Sequence, residues 1–174
     1  MLEKVRKYID KVLEWIVIVI MAVMVLNVTW QVVTRFVLKN PSSFTEELAR
    51  YLLIWLGLFG ASYGVGKKIH LAIDVFSSRF KGKSKCYLEI FLALCTFFFA
   101  LFVMVIGGIY LVSLSFELKQ ISAALRIKMG YVYLAIPISG AMIMFYSLVF
   151  FVENFSELRL MGKNTAKGNH NGMD

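Results

Sequence analysis

The chain has 174 residues, 59% of them hydrophobic, and its mean hydropathy is strongly positive. That balance exceeds what a water-soluble domain carries and calls for contact with lipid. The net charge of +8 would suit nucleic acid if the cations formed one folded face with stacking aromatics, but they flank apolar runs, which excludes that reading.

Four stretches contain no Asp, Glu, Lys, Arg or His: Trp15–Thr34, Tyr51–Gly66, Ile90–Phe116 and Met129–Val152. At 1.5 Å per residue the third and fourth reach about 40 and 36 Å, beyond the roughly 30 Å hydrocarbon core, so they tilt or protrude. The second, about 24 Å long, falls short on its own. Ser42-Ser43-Phe44-Thr45-Glu46-Glu47 extends it, because Pro41 precedes, Ser or Thr caps, and the two glutamates favour a first turn. The expected fold is an all-α integral membrane protein with four transmembrane helices, at about 12–36, 45–66, 87–116 and 129–153. They form one domain over 1–160, followed by a disordered cytoplasmic tail over 161–174, rich in Gly, Asn and Lys.

The fourteen residues before the first run are long and mixed in charge, and no small-x-small cleavage site follows Thr34, so the first span reads as an uncleaved signal anchor. Within it Asn27, Gln31 and Arg35 recur at i, i+4 and i+8. Two amides left unpaired in hydrocarbon would cost a few kcal/mol each, so this stripe is expected to face protein, with Arg35 either part of it or a snorkelling anchor. At the start of the second span, Glu46, Glu47 and Arg50 either contact a partner or complement the helix N-terminus and pair at i,i+4. Further along, Gly57, Gly60, Ala61 and Gly64 recur at i, i+3, i+4 and i+7, one smooth stripe on which another helix can lie close. That helix belongs either to this chain or to a separate subunit.

In the loop after the second span, His70 and Asp74 stand at i and i+4. Two ligands beside a lysine-rich segment make a poor metal site, and a surface pair facing the cytoplasm is expected. Around them Ile69, Ile73, Phe76 and Phe80 suit a segment lying on the membrane surface. Cys86 and Cys95 have neither pairing nor metal-ligand spacing and read as packing residues.

Ion and proton carriers place an ionisable residue at mid-membrane, and none of the four runs holds one. There is no Gly-x-Ser-x-Gly elbow, His-Glu-x-x-His, phosphate-cradling loop or Asp-rich metal motif, so neither an enzyme, nor a cofactor, nor a bound metal is expected. A self-assembling carrier or channel, built on the glycine and polar stripes, stays open as the alternative to an accessory subunit. Of the nineteen Lys and Arg, thirteen fall before the first span, in the second loop or after the fourth. The other six fall in the first and third loops, which places both termini in the cytoplasm.

Trp30-Gln31-x-x-x-Arg35-Phe36, then Pro41-x-x-Phe44-Thr45-Glu46-Glu47-Leu48-Ala49-Arg50-Tyr51, Trp55, Gly60-Ala61 and His70-Leu71-Ala72-Ile73-Asp74 together resemble the small membrane subunit, DctQ type, of tripartite ATP-independent periplasmic (TRAP) transporters. The motif match covers roughly residues 30–74, and the last two spans agree in number, length and position. The resemblance implies a bacterial inner-membrane complex for sodium-coupled uptake of an organic acid such as a C4-dicarboxylate or sialic acid. A periplasmic binding protein delivers the acid, a large elevator-type permease subunit carries the substrate and sodium sites, and the small subunit holds that partner in place. Arg35, Glu46, Glu47 and Arg50 then fall on the periplasmic side, facing the large subunit or the binding protein.

Overall fold

The computed structural model describes residues 2–40, 42–67 and 83–170. Helix α1 spans Leu2–Phe36 and α2 spans Ser43–Gly66. Helix α3, Lys83–Phe99, passes through a π-helical segment, Ala100–Ile106, into α4, Gly107–Glu117. A short α5, Met129–Tyr133, leads into α6, Ala135–His170. Among the described residues, four helical stretches are long and apolar enough to cross a membrane: Arg6–Phe36, Ser43–Gly66, Ser84–Glu117 and Met129–Ser156. Each contains most or all of one charge-free run, since in hydrocarbon a helix alone satisfies every backbone group from within the segment.

Three details depart from the expected outline. Helix α1 begins at Leu2 because Arg6 and Asp10 are fixed from other helices, which supports a segment too short to be helical alone. Helix α6 continues to His170, through residues assigned above to the tail. The fourth span is interrupted at Leu134: Pro137 has no N–H to offer the Tyr133 carbonyl, so α5 ends at Tyr133 and α6 starts afresh. Ser42 occupies the N-cap position of α2, but its side chain makes no capping bond. Instead the Thr45 hydroxyl donates to the Ser42 carbonyl at 2.9 Å.

Helix α1 packs on α2, α2 on α6, and α6 on α3 and the π-helical segment, so the last span lies between the second and the third. Close approach is achieved with glycine. A Cβ on Gly140 would lie 2.6 Å from the Met104 Cβ, and one on Gly108 would lie 3.0 Å from Ile136 and Pro137, so the π-helical segment and its following turn press directly onto α6. Ser62 in α2 donates to Leu58 O and, at 3.2 Å, lies against Ser139 O of α6, both serines being fully buried. Small residues and hydroxyl bonds thus stand in for hydrophobic burial, which drives little helix association within lipid. Leu13, Phe59, Met104, Ile143, Tyr146 and Phe150 fill the space between the helices. Most of α1 turns large apolar side chains outward, with Leu26 71% and Trp30 57% exposed.

Candidate functional site

Glu47 is the most heavily engaged of the residues singled out from sequence. Its carboxylate accepts the Tyr51 hydroxyl at 2.6 Å and three consecutive backbone N–H groups from the loop between α4 and α5: Ala123 at 3.2 Å, Ala124 at 2.7 Å and Leu125 at 2.9 Å. Successive amides aimed at one anion form a strong, charge-assisted set of bonds. The loop is folded to present them. Ser122 N–H donates to Ile127 O and Met129 N–H to Gln120 O, around an antiparallel bridge between Ile121 and Lys128. Its entry is a helix C-terminal turn in which Gln120 N–H reaches Ser115 O and Lys119 N–H reaches Phe116 O. Lys119 and Arg126 take the left-handed conformation, with φ of 49° and 53°.

Asn27 is also used within the chain, its Nδ2 donating to Thr45 O at 2.8 Å and tying α1 to the first turn of α2. Thr34, beside it, donates to Gln31 O. The remaining polar residues of this end are open. Gln31, Arg35, Ser42, Ser43 and Glu46 line a polar cleft of about 480 Å³. Glu46 and Arg50 form an i,i+4 pair at 3.4 Å with both side chains about two-thirds exposed. In that setting such a pair stabilises little. The sequence set therefore divides: Asn27 and Glu47 lock the chain to itself, while Gln31, Arg35, Glu46 and Arg50 stay available.

The glycine stripe is available too. A Cβ placed on Gly57, Gly60 or Gly64 would meet nothing within 4 Å, and Ala61 is exposed. On the same helix a Cβ on Gly66 would lie 2.7 Å from the Tyr146 ring, and one on Gly130, in α5, 2.6 Å from Phe116. Glycines required by this chain's own packing are thus distinguishable from those that are not, and the stripe is of the second kind. His70, Asp74 and the apolar residues around them lie outside the described residues.

A second polar cluster, at the other end of the helices, escaped the sequence reading. Arg6 donates to Gly66 O at 2.9 Å, pairs with Glu153 at 3.0 Å and stands 5.0 Å over the Phe150 ring. Asp10 accepts the Tyr146 hydroxyl and has Lys67 at 3.8 Å. Together they clasp α1, α2 and α6. The available signal was the spacing of Arg6, Asp10 and Leu13, which share one face of α1 while the lysines take another.

The sequence model of the DctQ component of tripartite ATP-independent periplasmic transporters matches residues 24–157. The chain is 28% identical, over 152 residues, to the sialic acid TRAP transporter small permease protein SiaQ of Vibrio cholerae, covering 84% of this chain and 83% of that one. It is 33% identical over 104 residues to the C4-dicarboxylate TRAP transporter small permease protein DctQ of Rhodobacter capsulatus, 59% of this chain and 44% of that one. It also matches the sialic acid TRAP transporter permease protein SiaT of Haemophilus influenzae at 27% over 144 residues, which is 80% of this chain and 22% of that much longer protein. With four spans, an open glycine stripe and a family match over most of its length, the chain belongs to the DctQ family of small permease components of TRAP transporters.

Proposed function

We propose that this chain is the scaffold of its transporter, holding a large permease subunit against the exposed face of α2. The observation that carries this is the emptiness around Gly57, Gly60 and Gly64. Glycine within a helix costs up to about 1 kcal/mol relative to alanine, so three of them on one face with no neighbour among the described residues are suited to a neighbour from outside the chain. The SiaT match supports the identity of that neighbour, because a segment similar to this chain makes up about a fifth of a single longer permease.

In this reading the large subunit carries the organic acid and its sodium ions by an elevator motion, with the acid delivered by a periplasmic binding protein. This chain supplies packing surface and no ion site. The named relatives act on sialic acid and C4-dicarboxylates, both carboxylated, and the cargo here is a carboxylate of that class. Both termini lie in the cytoplasm of a bacterial cell whose inner membrane holds the complex, supported by the bias of Lys and Arg toward that side. Gln31, Arg35, Glu46 and Arg50 then form a periplasmic contact surface. The test is a Gly60→Leu or Gly64→Leu substitution read by co-purification with the large subunit. Loss of the partner, with the variant still folded, is the expected result. Full retention would remove the α2 face from the interface, and a variant or parent chain that transports solute in liposomes without a partner would favour a self-assembling carrier.

A further inference from the structure

Between Arg6 and Trp15, α1 sorts most of its charged residues by face. Arg6, Asp10 and Leu13 turn inward onto Gly66, Tyr146 and Glu153, with Leu13 fully buried. Lys7 and Lys11, at i and i+4, turn outward and are exposed, with Tyr8 72% and Trp15 61% exposed beside them. Of the carboxylates described on the neighbouring faces, Asp10 is committed to Tyr146 and Lys67, and Glu153 to Arg6. Glu14, exposed one turn on from Lys11, leaves the face a net cation. A hollow of about 330 Å³ lined by Tyr8, Lys11, Val12, Trp15 and Ile16 lies on it.

Depth fixes what this face meets. The charge-free run of α1 starts at Trp15, so Lys11 sits about 6 Å and Lys7 about 12 Å before the hydrocarbon begins. The polar headgroup layer on each side of the core is about 5–8 Å thick, which places both ammonium groups, on flexible stems, within reach of lipid phosphates. Trp and Tyr flanking that level are the side chains that favour a membrane–water boundary. Close docking of a protein helix is disfavoured here, because the face carries Tyr, Trp and Val where such contacts need small residues. We propose that this face of α1 binds the headgroup of an anionic phospholipid, its phosphodiester between Lys7 and Lys11 and an acyl chain over Val12 and Ile16.

The experiment is native mass spectrometry of the delipidated transporter complex, titrated with dioleoyl-phosphatidylglycerol or dioleoyl-phosphatidylcholine. Phosphatidylglycerol is expected to be retained in preference. A Lys7→Gln/Lys11→Gln variant should hold it about thirtyfold more weakly, the effect of two cations removed from an anionic surface. A Lys7→Arg/Lys11→Arg variant should bind like the parent. Equal retention of the two lipids by the parent complex, or unchanged phosphatidylglycerol binding by the Gln variant, would overturn the proposal. Displacement of the lipid by millimolar inorganic phosphate would also overturn it, showing a phosphate site that needs no lipid.

Discussion

The Glu47 carboxylate and the Ala124 backbone N–H are 77 residues apart in sequence and 2.7 Å apart in space. With Ala123 and Leu125 on the same carboxylate, Glu47 at the head of the second span fixes the loop joining the third to the fourth. One anion therefore ties the loop to the second span. Replacing Glu47 with Gln removes the charge and sets an NH2 group in place of one oxygen, against two of the donors that oxygen accepted, so the loop should loosen. Trypsin should then cleave at Lys119, Arg126 or Lys128 several-fold faster than in the parent, while Glu46→Gln leaves the rate unchanged.

Glycines of α2 should divide by position. Gly66→Ala places a methyl 2.7 Å from the Tyr146 ring, and overpacking of this kind costs about 1–3 kcal/mol. Gly57→Ala enters open space and should leave the chain as stable as before or slightly more so, by up to about 1 kcal/mol. Thermal unfolding of the purified chain in detergent separates the two.

Lys119 holds a left-handed φ of 49° at the end of α4, where glycine is the residue that fits without strain. A non-glycine residue there costs about 1 kcal/mol. Lys119→Gly is expected to raise the unfolding midpoint, and a lowered midpoint would show that the lysine side chain holds the loop by a contact of its own.

Beside the Arg6–Glu153 pair, α1 is clasped onto α6 by the bond from the Tyr146 hydroxyl to Asp10. Tyr146→Phe keeps the ring against Gly66 and deletes the bond, at a cost of about 1–3 kcal/mol for a hydrogen bond to a charged group. A double-mutant cycle with Asp10→Asn should show coupling between the two sites. Strict additivity would mean that Asp10 acts through Lys67 instead.

How far the sequence disclosed these features follows from the range of the rules applied to it. The spans were legible because a charge-free run of that length has one stable form in lipid. The glycine stripe was legible because helical spacing alone puts Gly57, Gly60, Ala61 and Gly64 on one side. Its exposure was not, since only the positions of α3 and α6 decide whether a helix of the same chain already covers it. Glu47 looked like a residue favouring the first turn or touching a partner, because local rules see three or four residues ahead and its amide partners lie beyond position 120. Arg6 and Asp10 were hidden among lysines of the same segment, their inward face defined by Gly66, Tyr146 and Glu153. No residue pattern announced the π-helical segment Ala100–Ile106, in which Met104 lies close against Gly140. Helix α6 runs past 161 because its last turns continue an established helix, which composition-based reasoning about an isolated tail does not include.

Whether this chain scaffolds a larger permease is read by extracting it from the native membrane into nanodiscs and identifying by mass spectrometry whatever accompanies it. A large polytopic permease is expected in equal amount with the parent chain and is expected to be lost with Gly60→Leu. Recovery of this chain alone, or as an oligomer of itself, would contradict the scaffold role.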